Sequence, residues 1–163
     1  MSATLAPTIW DLAGEKFNNR AKRRRVPEDP EWLFPKCAAV FTMMDSSFSV
    51  LNNLPFFLAQ PDPVSVVSIA FSAKAAVDAT INCVKTFKAA RRSALHIADP
   101  SEPWPTLTPA ESTRKSLSVS AYALASAVPN ALNAGDGGWA AIYTGLALTC
   151  YNFSRKGPRR PGE

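Results

Sequence analysis

The sequence predicts an all-α fold of about four main helices, paired as two helical hairpins. Three observations carry that expectation. No glycine or proline interrupts residues 64–98, where alanine is frequent, so helix formation there costs little backbone or rotamer entropy. Two start signals, Asp62 before Pro63 and Thr108-Pro109-Ala110-Glu111, place an N-cap before a proline at the first helical position. Proline clusters and one glycine-rich turn then fall where helices should stop. The resulting layout is an extended basic arm over 1–35, a first hairpin over 36–96, a proline-rich linker over 97–109, a second hairpin over 110–153 and a basic tail over 154–163.

The arm is punctuated by Pro7, Pro27, Pro30 and Pro35, and only residues 8–22 suit a short helix. It carries Arg20, Lys22, Arg23, Arg24 and Arg25, followed by the acidic Glu28, Asp29 and Glu31. Trp32, Leu33 and Phe34 read as an anchor on a core or at an interface, where tryptophan is favoured. Residues 37–59 are the first long apolar region. Their methionine and aromatic stripe, including Phe41, Met43, Met44, Phe48 and Phe56, is assigned to packing. Pro55 is expected to kink or end that helix.

In the central helix, Val66, Ile69, Ala70, Ala73, Val77, Ile81, Val84 and Phe87 recur at helical spacing as one apolar face. Lys74, Asp78, Asn82, Lys85, Lys88 and Arg92 follow similar steps along another. The first turns are apolar or small nearly all round and the last carry Lys85, Lys88, Arg91 and Arg92, which suits a helix that begins buried and ends at a polar boundary. Cations there also complement the helix macrodipole, by ~0.3–1 kcal/mol each when exposed. Lys74 and Asp78 form an i, i+4 ion pair, which in lipid should face protein or water.

Pro100, Pro103, Pro105 and Pro109 stiffen the linker, and Trp104 within it is expected to dock. Thr108 and Glu111 complete a capping box, so a helix runs from about 109 toward 134. Within it Ser116/Ser120 and Ala123/Ala127 are small-residue pairs that let helices approach closely. The alternation there also fits a strand, but alanine content and the upstream cap favour helix, bent at Pro129. Residues 133–138 are a turn whose glycines suit positive φ. A last apolar helix spans 139–153, with Trp139 at its start, and Arg155, Lys156, Arg159 and Arg160 follow.

Composition bounds the function classes. The 163 residues hold one domain with a core, and a net charge of +5 is compatible with phosphate-bearing partners without requiring them. Cys37, Cys83 and Cys150 are too few and too far apart for a disulfide framework or zinc site, so buried thiols are expected. His96 is the only histidine and reads as a solvated or capping residue. No secretory signal pattern is evident, and a faint organelle-presequence pattern in the first 25 residues is weakened by Asp11 and Glu15. No phosphate-loop or dinucleotide motif occurs. Asp45, Lys74, Asp78 and His96 are the polar residues an enzyme would have to use. They read as paired structural groups, so no catalytic residue, metal or cofactor is assigned.

The charge layout carries the functional expectation. Four apolar stretches, 37–59, 64–84, 117–134 and 139–153, alternate basic connections with the short turns at 60–63 and 135–138, whose only charges are aspartates. If all four crossed a bilayer, the cations would gather on one side. Against this, each stretch is interrupted by polar residues or proline, and the last is short of the ~20 residues a crossing needs. The reading is a small helical, non-catalytic structural or accessory subunit of a larger assembly, in an organellar or bacterial-type inner membrane. Arg20, Lys22, Arg23, Arg24, Arg25, Lys85, Lys88, Arg91, Arg92, Arg155, Lys156, Arg159 and Arg160 would contact lipid headgroups or phosphate, and Trp32, Trp104 and Trp139 would be interfacial anchors. Its partners are other protein subunits and membrane lipid. The alternative is a soluble all-α coat or nucleic-acid-packaging protein, cytoplasmic or in a virion, using its basic arms on phosphate. A small membrane-lesion protein of the holin type is a further reading, from size, helix number and the basic tail. An outward apolar belt about 30 Å high would favour lipid, and a mixed polar surface would favour water.

Overall fold

The computed structural model describes residues 29–59 and 61–155, and among them it has four α-helices and no strand. A single 3-10 turn, Pro30–Trp32, leads into α1 (Leu33–Ala59), followed by α2 (Pro63–Ala98), α3 (Pro109–Asn133) and α4 (Gly137–Arg155). At 1.5 Å rise per residue these are roughly 40, 54, 38 and 28 Å long.

The starts and stops follow local chemistry. The Asp62 carboxylate accepts from the Ser65 amide at 2.6 Å, with Pro63 at the first helical position of α2. At α3, the Thr108 hydroxyl accepts from the Glu111 amide at 3.2 Å while the Glu111 carboxylate accepts from the Thr108 amide at 2.9 Å, a complete capping box. α3 ends with Gly135 at φ 74, its amide donating to the Leu132 carbonyl and that of Asp136 to Ala131. A side chain is strained at that φ, so glycine is required there. Gly137 and Gly138 differ from expectation: they open α4 instead of taking positive φ. Pro55 does not end α1, which continues through it to Ala59. One lost ladder bond is tolerated where a neighbouring turn is held from outside, and Asn53 is held by α3.

α3 is the central helix, packed against α1, α2 and α4, and α1 also packs on α2. Asn82 meets Ser116 and Ser68 meets Ser126, so α2 and α3 are antiparallel. Ser49 and Asn53 meet Ser126 and Asn130, so α1 and α3 are parallel. The bend after α1 and the bend after α3 therefore share one end of the bundle, where one cavity is lined by Asp62, Asn133 and Ala134 together. The Trp32 turn, the last turns of α2 and the start of α3 form the other end, with Trp32 packed on Ala89, Ala90 and Leu107.

The interior is made of small and polar side chains. On α2 the buried positions include Ser65, Ser68, Ser72, Ala75, Ala79, Asn82, Thr86, Ala89 and Ser93, a strict alternation of three and four residues. Ser112, Ser116, Val119, Ala123 and Ser126 continue the pattern on α3, and Pro35, Ala39, Thr42, Ser46 and Asn53 on α1. Such seams let helix backbones approach closely. Their hydroxyls are satisfied within the bundle: Thr42 donates to the Ala39 carbonyl, Ser72 to Ile69, and Thr86 to Asn82 at 2.7 Å.

The large apolar side chains point the other way. The α2 face of Val66, Val77, Ile81, Val84 and Phe87 is turned out of the bundle. Most of the α1 stripe assigned to packing is outward too: Phe41 is 71% exposed, Met44 53% and Phe48 59%, whereas Met43 packs against Ala75, Ala79, Val119 and Ala123 as expected. All described phenylalanines except Phe57 are exposed. Asn82, placed by the sequence on the polar face, is instead 3% exposed inside the seam. Of the three thiols expected to be buried, only Cys83 is; Cys37 is exposed and Cys150 intermediate. Among the described residues, α2 alone is long and apolar enough by composition to cross a membrane, where the charge layout had drawn four crossings.

Candidate functional site: a polar seam between two unlike ends

Along the seam, two networks join the helices. Toward the bends, the Ser68 hydroxyl donates to the Ser126 carbonyl at 2.7 Å, Ser49 and Ser126 share a hydroxyl contact at 2.7 Å, and the Asn130 amide donates to Asn53. Toward the other end, the Asn82 amide donates to Ser116 Oγ at 3.0 Å and to the Ser112 carbonyl at 3.3 Å, and Thr86 and Ser112 hydroxyls meet at 2.6 Å. Asn82 Oδ1 is buried with no hydrogen-bond partner among the described residues. Three helices are thus fixed in register by bonds that a purely apolar seam could not specify. The serine and alanine heptads were visible in the sequence. On α3 the small-residue pairs already mark a close approach, whereas on α2 the large apolar residues of the opposite face dominate the periodicity.

Lys74 and Asp78 form the expected pair at 2.7 Å, with side chains 50% and 41% exposed. The Lys74 ammonium also sits 4.9 Å from the centre of the Tyr122 ring. The pair lies on the outside of the bundle, part-way along α2, and not in the seam.

The two ends differ in charge. At the bend end, a cavity of about 350 Å³ is lined by Asn53, Asn130, Asp136, Trp139 and Tyr143. Asp136 accepts from the Trp139 amide at 3.1 Å and so caps α4. Trp139 is 53% exposed and tilted against Tyr143, with ring centres 5.6 Å apart. At the other end Lys85, Lys88, Arg91 and Arg92 are all exposed. Lys115 of α3, which the sequence did not single out, joins Lys85, Lys88 and Arg92 around a cavity of about 260 Å³. No sequence spacing signals that junction, since it depends on the α2–α3 register.

Trp32 is 1% exposed and is a core residue of this end, so of the two anchor roles the sequence offered it takes the core one and not the interfacial one. Its turn is tied down by Asp29, whose carboxylate accepts from the Glu31 amide and from the Ser93 hydroxyl at 2.6 Å. Trp104 is 66% exposed and docks only by one face, tilted over His96 at 4.1 Å. His96 Nδ1 is bonded to the Glu102 carbonyl oxygen. In the linker, hydrogen bonds from the Ser101 hydroxyl and amide hold the Asp99 carboxyl below its ordinary pKa. Glu111 is likewise lowered, first by the Thr108 amide and then by its hydroxyl. Arg155 lies over the Tyr151 ring at 5.4 Å. Arg20, Lys22, Arg23, Arg24, Arg25, Lys156, Arg159 and Arg160 lie outside the described residues.

Among the described residues no three His, Cys, Asp or Glu side chains come together as a metal site. No family model, no curated protein and no solved structure matches the chain.

Proposed function

We propose that the chain is a small helical subunit held in a lipid bilayer, of the inner-membrane type, and that its role in a larger assembly is structural or accessory, not catalytic. What carries the reading is the reversal of polarity: serine, threonine, asparagine and alanine inside, phenylalanine, leucine, valine and isoleucine outside. A half-exposed large apolar side chain forgoes roughly 1 kcal/mol of burial in water. Over the outward residues of α1 and α2 that loss is on the order of 15 kcal/mol, as large as the whole net stability of a typical domain, ~5–15 kcal/mol. In acyl chains the loss vanishes, and close packing of small residues with interhelical hydrogen bonds becomes the cohesive term. From Val66 to Phe87 the outward face of α2 extends roughly 30 Å along the axis, the thickness of a bilayer's hydrocarbon layer. The gathering of Lys85, Lys88, Arg91, Arg92 and Lys115 at the end opposite the aspartate bends fits a cytoplasmic-side orientation for the cations.

Membership of an assembly is supported by Lys74 and Asp78. Outward-facing charges part-way along a crossing helix call for a protein or aqueous neighbour. Flotation with phosphatidylcholine vesicles, resistant to alkaline carbonate extraction, is the expected result. Recovery of the full chain in the supernatant of a high-speed spin in plain buffer would contradict it. If that soluble material bound nucleic acid with a steep salt dependence, the packaging reading would take its place.

A further inference from the structure

The cationic cavity at the α2–α3 end has a chemistry that the general reading does not use. Lys85, Lys88 and Arg92 come from one face of α2, and Lys115 projects into the same cavity from α3, with Thr106 and Leu107 of the linker closing it. Like charges at i, i+3 and i, i+4 on a helix repel, so this face is unfavourable unless an anion sits over it. Among the described residues no carboxylate forms an ion pair within 4.0 Å of these four cations, and Asp78 on the same helix is paired with Lys74. The nearest carboxylate in sequence, Glu111, accepts from the Thr108 amide and interacts with Lys115 only as a nearby charge.

Next to that face, Val84, Ile81 and Val77 run toward the bends, each about half exposed. At 100° per residue, positions 77, 81, 84, 85, 88 and 92 span a sector of about 100°, with Lys88 nearest the apolar residues and Lys85 and Arg92 toward the side that carries Lys74 and Asp78. The cations that line the cavity therefore stand beside an outward apolar stripe, with Val84 and Ile81 within one turn of Lys85 and Lys88. A free anion would use only the first of these features. Nucleic acid would find its bases set against aliphatic side chains, with no exposed aromatic platform lining the cavity. A phosphate headgroup with an attached acyl chain uses both.

We propose that this cavity is a binding site for the phosphate headgroup of an anionic phospholipid, whose acyl chain lies along Val84, Ile81 and Val77. The proposal rests on the membrane reading above and adds to it a specific lipid class and a specific place. Basic pockets between helices on the cytoplasmic side bind such headgroups through the combined charge of several cations, each worth about fivefold in affinity near a membrane surface.

The test uses the full chain in neutral detergent micelles, titrated with short-chain phosphatidylglycerol, phosphatidylcholine, inorganic phosphate or a single-stranded oligonucleotide. Phosphatidylglycerol should bind at least about tenfold more tightly than phosphatidylcholine. Lys88→Ala with Lys115→Ala should lose roughly tenfold or more of that affinity, and Arg91→Ala, which removes the same charge outside the cavity, less than about twofold. Lys88→Arg with Lys115→Arg should retain binding, which keeps the test decisive if the alanine pair folds poorly. Equal binding of the two lipids, equal losses in the cavity and Arg91 variants, displacement by equimolar inorganic phosphate, or tighter binding of the oligonucleotide would each overturn the proposal. Indifference to headgroup in protein that still floats with vesicles sinks the cavity alone. Failure to float sinks the membrane reading itself.

Discussion

Replacing Ala79 by leucine and Ile81 by alanine sets the inside-out packing against ordinary core logic, on the same turn of α2. Ala79 is 0% exposed and packed with Ala75, Val119 and Ala123, where α2 and α3 meet. Leucine there adds three carbons to a seam without space, and overpacking of that kind costs about 1–3 kcal/mol. The loss should reach the upper part of that range, because separating the helices also stretches the Asn82 to Ser116 bond one turn away. Ile81 is 48% exposed, so removing its three carbons forfeits about 1 kcal/mol at most even in water, and less in lipid. A core isoleucine would instead cost about 2–5 kcal/mol. Denaturant midpoints followed by helical circular dichroism, on both variants in the same detergent, give the ordering. If Ile81→Ala proves the more damaging by 2 kcal/mol or so, with Ala79→Leu tolerated, the assignment of faces is wrong.

Four further outcomes follow from named contacts. Asp78→Asn leaves Lys74 without its carboxylate partner, and in a membrane-insertion assay the efficiency of α2 should drop; unchanged insertion would count against α2 as a crossing helix. Trp32→Ala empties the contact with Ala89, Ala90 and Leu107 and should lower stability by about 3–5 kcal/mol in thermal unfolding, an effect foreign to a merely interfacial anchor. Thr108→Ala should cost about 1 kcal/mol through the lost cap. Because the pKa of Glu111 is lower folded than unfolded, its contribution is present above the ordinary glutamate range and lost as pH falls through the folded value. Glu111→Gln should therefore flatten the acid limb of the thermal midpoint, and an unchanged acid limb would count against the capping box.

The helices themselves were legible because their limits are written in local chemistry. Asp62 with Pro63, Thr108 with Glu111, and Gly135 act within a few residues of themselves, and each performs the role its type suggests. The sidedness of α1 and α2 was not legible in the same way. Periodicity reports that Val77, Ile81 and Val84 share a face, yet whether that face seeks the core or the solvent depends on which solvent surrounds it. The Ser65 to Ser93 heptad resolves the ambiguity once small residues are counted as contact residues. The sequence leaves Trp32 between core and interface for a related reason, since an aromatic next to exposed Leu33 and Phe34 is decided only by Leu107 of the distant linker, which covers it. Lys115 was missed because only the tertiary register carries it across to Lys85, Lys88 and Arg92.

The central claim, apolar outside and small polar inside, is tested most directly by nitroxide scanning of α2 in phosphatidylcholine vesicles, with Cys37, Cys83 and Cys150 replaced by alanine. Relaxation by oxygen, which concentrates in acyl chains, should peak at labels on 77, 81 and 84 and fall to minima at 75, 79, 82 and 86, with a water-soluble nickel reagent silent at all seven positions. Oxygen maxima on the serine and alanine face, or nickel access along the valine and isoleucine face, would contradict it.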